Sequence, residues 1–352
     1  MQKYFNISGI CVPEKHYMVD ILPKIEKITE EYIEPGYYFT INHGQLYGKT
    51  TILHQLSKHL QDRYLIIGIT FIHVAYKMFE CEEEFIREFA QLVSTALECE
   101  ELESVFMKDW NLYDKRDLTF EKLFERFYRI YTLTNKEIIL VIDGIDRRAD
   151  NQYFLKLLEH LQNKRFFHNV ILAGIYDMTK LWNNVKSFDV DMSFSSKEIA
   201  SMLDVYEKDN NYGIDIEKIS NEIYAYTSGH PYLVSQICKL MDESIWENKE
   251  FGDKSSVWCL EGIKAAVEII LEMNNNDMLF YSINDNLHIY PDLYDMISHM
   301  LLDGNSYSFS LANNTIQLGV MLDYFKEQEH KVAIANRIFK LYLLNICELY
   351  NR

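Results

Sequence analysis

Apolar positions along this chain follow two different periods. Largely apolar runs rich in aromatic and β-branched residues occur at residues 36–41, 64–71, 137–142 and 169–175. Runs of that kind lack the alternation of a half-exposed strand and predict strands buried on both faces, as in a parallel sheet. Between them the apolar residues recur at helical spacing. Ile21, Ile25 and Ile28 share one face, residues 51–60 repeat in the same way, and residues 80–103 carry Phe85, Phe89, Leu92, Val93, Ala96 and Leu97 on one side with glutamates on the other. Phe120, Leu123, Phe124, Phe127 and Ile130 mark a further helix, and residues 153–158 another. Strands alternating with helices predict an α/β fold with a doubly wound, mostly parallel sheet.

From Ser195 onward the pattern turns helical, at 197–206, 216–226 and then beyond the interruption Gly229-His230-Pro231. Glycine suits a helix C-terminus and proline the first turn of the next helix, so this stretch predicts two helices of a small lid. The polar segment 248–256 forms a boundary. Beyond it residues 263–271, 293–302 and 314–324 read as helical, a turn at Gln328-Glu329-His330 joins two short apolar segments into a hairpin, and 338–349 reads as a closing helix. Helices followed by a hairpin fit a winged-helix module. The expected division is a core at 1–194, a lid at 195–247 and a winged-helix-like domain at 256–352.

Composition adds limits to this picture. The chain has 352 residues, 48% of them hydrophobic, with only 13 Gly and 5 Pro, which describes a globular protein of two or three domains. No uncharged apolar run reaches membrane-spanning length, and the N-terminus lacks a signal-peptide core, so a cytoplasmic location is expected. The six cysteines form no Cys-x-x-Cys pair, which argues against a zinc knuckle or a redox dithiol. A net charge of −18 repels phosphate backbones and disfavours general affinity for nucleic acid.

The candidate chemistry lies between the first strand and the helix after it, in His43-Gly44-Gln45-Leu46-Tyr47-Gly48-Lys49-Thr50-Thr51. A strand-to-helix turn ending in Gly-Lys-Thr aims backbone N–H groups and the positive end of a helix at an anion. It also sets a lysine against the outer phosphates and offers a hydroxyl to magnesium. The ligand it suggests is a nucleoside triphosphate with Mg2+, and the candidate binding residues run from Gly44 to Thr51. The motif departs from a full phosphate-binding loop at His43, where a glycine is usual. Upstream, His16 and Tyr17 are candidate neighbours of an adenine base, although the packing of an incoming helix explains them equally well.

The run ending at Asp143 predicts a central strand that delivers a carboxylate to the carboxyl end of the sheet, where ligands bind in such folds. Asp143 is a candidate magnesium partner alongside Thr50. The next residue is Gly144, which carries no group to orient an attacking water. Asp146 is the nearest other carboxylate and the second candidate catalytic residue. Tyr176 and Asp177, after the fourth strand, are candidates for detecting a γ-phosphate. Arg147 and Arg148 lie near the same loop in the sequence.

Taken in order, Tyr47-Gly48-Lys49-Thr50-Thr51, Val170-Ile171-Leu172-Ala173-Gly174, Thr227-Ser228-Gly229-His230-Pro231-Tyr232-Leu233 and Ile334-Ala335-Asn336-Arg337-Ile338-Phe339 give the chain a family likeness. It resembles the AAA-like P-loop ATPases of the STAND and archaeal-ATPase branch. The resemblance implies an ATP-binding core with Lys49 on phosphate, Thr50 on magnesium and Asp143 beyond it. It also implies a lid whose His230 and Pro231 approach the nucleotide, and a C-terminal winged helix. Three departures stand against the pattern: His43, Gly144 in place of an acidic residue, and an irregular stretch after Asp177. In the family it resembles, longer members carry a nuclease-like module after the winged helix. This sequence ends without a matching stretch, so cleavage of nucleic acid is not expected.

Two functions remain open at this level. One is a nucleotide-dependent switch with slow ATP hydrolysis, acting on a protein partner or through self-association by its lid or C-terminal domain. The other is a DNA-binding adaptor with a vestigial nucleotide site, using Lys326, Lys331, Arg337 and Lys340 as a small basic patch diluted by Glu327 and Glu329.

Overall fold

The computed structural model of the chain describes residues 3–97, 100–145, 150–164, 166–176, 178–180, 182, 185–247, 251–273 and 277–350. The chain divides into two compact units that do not follow chain order. One comprises Leu22–Asn42 and Ile52–Val190, the other Met1–Ile21, His43–Thr51 and Asp191–Arg352.

The first of these is built on a parallel sheet. It opens with α1 (Leu22–Ile28), continued by one π turn at Thr29–Ile33. Then come β1 (Phe39–Asn42), α2 (Lys49–Leu60), whose first residues belong to the other unit, and β2 (Tyr64–Thr70). Next are α3 (Glu82–Ala96), α4 (Glu100–Met107), α5 (Phe120–Leu133) and β3 (Glu137–Asp143). The last elements are α6 (Gln152–Asn163) and β4 (Phe167–Gly174). Strand order is β1-β4-β3-β2, with every pairing parallel. An isolated parallel bridge from Lys186 to Phe39 extends the sheet past β1.

The continuous apolar runs of β1, β3 and β4 form strands covered on both faces, whereas β2, expected to be buried in the same way, lies at the sheet edge and leaves Gly68 and Thr70 exposed. On β3, Ile138, Leu140 and Ile142 join the aromatic core made by Phe85, Phe89, Phe127 and Phe167, while Ile139 and Val141 point to the opposite face and are buried as well. Helices α3, α5 and α6 pack against one another beside that core. The β1-to-β2 connection crosses the sheet in one direction and the next two return in the other. Right-handed crossovers therefore put α2 on the face opposite α3, α5 and α6.

Two expectations needed revision. The long helix expected over 80–103 is two helices, because Leu97 leaves helical geometry (φ −81°, ψ 91°) after turning its N–H to the Val93 and Ser94 carbonyls. The helix expected from Ile21 starts at Leu22.

A buried side chain with no signal in the pattern holds the start of β1. Asn169 on β4 is completely buried, and its amide donates to the carbonyls of Tyr32 (3.0 Å) and Tyr37 (2.8 Å). Those two carbonyls flank the turn into β1, so one side chain ties that turn to the neighbouring strand.

The second unit is mainly helical. Its helices are α7 (Ser196–Asn210), α8 (Ile216–Thr227), α9 (Pro231–Glu243), α10 (Leu260–Glu272), α11 (Met278–Ile289), α12 (Pro291–Leu301) and α13 (Asn314–Met321). A hairpin of β5 (Phe325–Gln328) and β6 (Lys331–Ile334) precedes α14 (Arg337–Tyr350). Helix α7 begins with a capping box, Ser195 and Glu198 each bonding the other's backbone N–H. The hairpin turns through Glu329 (φ 51°) and His330 (φ 62°), the paired left-handed conformation that suits a two-residue connection. Helix α11 has no counterpart among the helices that the pattern predicts. The N-terminal residues join this unit through Phe5 and Tyr17, whose rings pack against Tyr206, with Trp258 beside them. Among the described residues, no helix is long and apolar enough to cross a membrane.

Replacing Asn169 by Ala removes both of these donations and leaves the Tyr32 carbonyl only the Tyr37 N–H at 3.1 Å. We expect a loss of about 2–4 kcal/mol in urea unfolding, with an unchanged m-value, whereas Asn169→Asp should be at least as damaging because a carboxylate cannot donate.

Candidate functional site

The turn between β1 and α2 contains two left-handed residues, Leu46 (φ 59°) and Gly48 (φ 82°). A leucine in this conformation is costly, which marks a loop held by its surroundings. Gly44 is required for a different reason. It has no left-handed φ, but a β-carbon there would lie 2.7 Å from the carbonyl oxygen of Leu322. The glycine allows the backbone just after α13 to approach the loop directly.

That approach brings in a carboxylate. The Gly44 N–H donates to Asp323 Oδ2 at 2.5 Å, and the same oxygen lies 3.4 Å from His43 Nδ1, an approach that lacks the alignment of a hydrogen bond. The Lys49 ammonium folds back over the loop and donates to the carbonyls of His43 and Gly44, both at 2.7 Å. Thr51, in the first turn of α2, accepts through Oγ1 from the Cys11 N–H at 3.2 Å, which ties the N-terminal segment to the same helix start. The loop thus presents a backbone donor, a lysine and a helix N-terminus, and its donor holds an anionic oxygen.

Aromatic contacts connect the loop to α9 and α14. His43 stacks on Tyr47 (centroids 4.5 Å apart, 10° between planes), Tyr47 meets the edge of His230 at 4.7 Å, and His230 meets Phe339 at 5.6 Å. Burial raises the pKa of Tyr47, with Asp323 adding to the effect, so its hydroxyl stays protonated. His230 caps α9 with its backbone only, Pro231 supplies the first helical residue, and the left-handed turn before them is shared by Ser228 and Gly229. Pro231 Cβ is 4.0 Å from where a β-carbon on Gly48 would be. The His230 ring is 3% exposed, and its Nδ1 has no hydrogen-bond partner among the described residues. Burial pushes its pKa down to about 4; Asp323 opposes that shift, and His43 and Lys49 reinforce it.

The other candidate neighbours of a base are both buried and engaged. His16 Nδ1 accepts from the Val12 N–H at 2.9 Å, and its Nε2 is 3.0 Å from the Tyr4 hydroxyl. Tyr17 donates to Asp209 Oδ2 at 3.0 Å, and burial pushes its pKa up to about 12. Gln45 and Thr50 are half-buried in the loop and in the first turn of α2.

In the sheet unit, Asp143 ends β3, is 6% exposed, and accepts through its main-chain carbonyl from the Phe71 N–H at 2.8 Å. Gly144 is left-handed (φ 77°), and a β-carbon there would lie 2.5 Å from Ile72 Cγ1 and 3.0 Å from Ile72 N. The missing acidic residue therefore has a steric cause. An acidic side chain at this position would meet Ile72 and strain the backbone. Tyr176 is half-buried against the aromatic core. Asp146, Arg147, Arg148 and Asp177 lie outside the described residues.

Asp323 is not identifiable from the sequence. It follows a helix in the C-terminal segment with no motif around it, and only the close approach permitted by Gly44 reveals it.

The chain is similar to the Walker-type ATPase PABY2304 of Pyrococcus abyssi, with a TM-score of 0.65 and 15% identity over 96% of this chain and 99% of that one. It is also similar to the ORC2 protein of Aeropyrum pernix in its ADPNP–ADP complexes, with a TM-score of 0.53 and 9% identity over 98% of this chain and 95% of that one. At these identities the shared property is the fold, an α/β arrangement around a parallel sheet of the P-loop type. No protein-family model matches the chain, and no curated protein matches it.

Two outcomes follow from the site's geometry. Because His230 is held neutral in the fold but titrates near 6.5 when unfolded, its contribution is complete above pH 6.5 and is lost as pH falls toward 4. The loss is about 2 kcal/mol by pH 5. His230→Phe, which keeps the ring packing, should flatten the stability profile between pH 6.5 and 5 in denaturant titrations; an unchanged slope would contradict the assignment. Gly144→Glu should destabilise the chain by roughly 2–4 kcal/mol in the same assay.

Proposed function

We propose that this chain binds ATP and Mg2+ through residues 44–51 and acts as a nucleotide-dependent switch that hydrolyses ATP slowly. The observation that carries this reading is the carboxylate bound at the Gly44 N–H: the loop's donor already takes an anionic oxygen, as phosphate binding requires. In this reading Lys49 moves from the loop carbonyls to the outer phosphates, and the α2 amides from Lys49 to Thr51 hold the inner ones. The Thr50 hydroxyl and the Asp143 carboxylate serve magnesium, which would neutralise phosphate charge. His16, Tyr17, His230 and Pro231 line the approach to the nucleotide, with Asp146 as a further candidate carboxylate. The descriptions of the two similar structures, a Walker-type ATPase and a protein in complexes with ADPNP and ADP, support the choice of ligand.

Slow hydrolysis is inferred from Gly144, whose backbone and neighbours leave no room for a side chain to orient water. Helices α7 to α9 would serve as a lid, and the helices and hairpin after α10 as a winged-helix-like output module toward a protein partner or a second copy. ATP can drive such a change only by binding one arrangement more tightly than another.

The adaptor alternative has less support. Of the four basic residues it needs, Lys326 donates to Ser228 Oγ at 3.2 Å, and the Arg337 guanidinium lies 4.2 Å from the centre of the Tyr226 ring. Two of the four cations are thereby committed within their own unit.

Equilibrium binding of a fluorescent ATP analogue with magnesium tests the proposal. Lys49→Ala should weaken binding at least about 10-fold while the melting temperature stays unchanged, and phosphate release by the unmodified chain should be far slower than nucleotide exchange. Equal affinity of the two proteins would rule out a nucleotide site at this loop.

A further inference from the structure

The contact between Asp323 and the loop has a consequence for regulation of that same site, resting on the nucleotide reading above. The Gly44 N–H can serve one strong acceptor at a time, and Asp323 Oδ2 occupies it at 2.5 Å. A phosphate oxygen bound there would meet the carboxylate as a like charge competing for the same donor. The departure from a standard phosphate loop, His43, and the glycine that follows it both belong to this contact. His43 sets its Nδ1 3.4 Å from the carboxylate, and Gly44 admits the Leu322 carbonyl, since any β-carbon would approach that oxygen to 2.7 Å.

The other side of the contact is firmly mounted. Asp323 holds a left-handed conformation (φ 59°), which aspartate tolerates better than most residues, and its N–H donates to the Val320 carbonyl at 3.0 Å. The next residue, Tyr324, is buried, with its N–H on Gly319 (2.8 Å) and its hydroxyl accepting from Asn286 (2.9 Å). Phe325 then begins β5. The same hairpin reaches the turn before α9 through the bond from Lys326 to Ser228.

We propose that Asp323 is a built-in competitor for the nucleotide's phosphates, a carboxylate latch that closes the loop and must withdraw when a triphosphate binds. Withdrawal separates Leu322 and Asp323 from the loop and carries the hairpin β5–β6 with them. Occupancy of the loop is thereby converted into a movement of the C-terminal module. The latch also sets the affinity, since part of the nucleotide's binding free energy goes into opening the contact.

The test compares MgATP binding by the unmodified chain, Asp323→Asn and Asp323→Gly, with Lys49→Ala as control, and follows amide hydrogen exchange in each. Asp323→Asn keeps the size and the tolerance of left-handed backbone while removing the charge, and Asp323→Gly removes the latch altogether. We expect MgATP to bind on the order of 10-fold tighter to Asp323→Gly and several-fold tighter to Asp323→Asn. In the unmodified chain MgATP should speed exchange across residues 322–328, an outcome that requires no variant to fold. If all proteins except Lys49→Ala bind MgATP with one affinity, and exchange at 322–328 does not respond, the latch is refuted and the nucleotide site stands. Weaker binding by both Asp323 variants at unchanged melting temperature would make Asp323 a nucleotide contact and equally refute competition. Failure of every protein to bind, the latch-free variant included, would overturn the nucleotide reading and the latch with it.

Discussion

A backbone N–H at the mouth of a helix needs an acceptor, and the behaviour of this molecule depends on which acceptor Gly44 takes. In this chain it takes a carboxylate from a distant part of the sequence, supplied by the turn after α13. Around that bond the loop, the start of α9 and the turn before β5 form one set of contacts. Lys49 lies over the loop's own carbonyls, Tyr47 bridges His43 and His230, and Leu322 reaches Gly44 through the space left by a missing β-carbon. The proposed exchange of one anion for another starts from this loop, whose Gly44 N–H already holds a carboxylate.

The sheet unit sets the limits on chemistry. An aromatic core covers one face of its sheet, and Asp143 lies at the carboxyl end of the buried strand β3. The next residue, Gly144, lies against Ile72. The proposal of binding with little turnover rests on this pair of positions, a carboxylate at the strand end followed by a residue with no side chain to orient water.

Much of this arrangement is legible in the sequence wherever a local pattern carries the information. Strands β1, β3 and β4 are visible as continuous apolar runs because burial on both faces leaves no room for alternation, β2 is apolar in sequence although Gly68 and Thr70 are exposed, and α5 and α8 are visible through their 3.6-residue period. The Gly-Lys-Thr turn announces the loop for the same reason: its geometry is local. The break between α3 and α4 is hidden because apolar residues continue across it, and α11 because its apolar face is interrupted by Asn284 and Asn286. Asn169 and Asp323 are out of reach altogether. Each acts through residues far away in the chain, Asn169 on the turn into β1 and Asp323 on Gly44, and neither bears a mark among its neighbours in sequence. His43 alone looks like a defect in a motif; beside Asp323 it is half of a contact.

The most direct measurement is the amide resonance of Gly44 in an isotope-labelled chain titrated with magnesium and a non-hydrolysable ATP analogue. Exchange of carboxylate for phosphate predicts that this resonance moves saturably at a one-to-one ratio, together with those of Lys49, Thr50 and Thr51. A Gly44 resonance that stays fixed while the nucleotide binds would contradict that exchange.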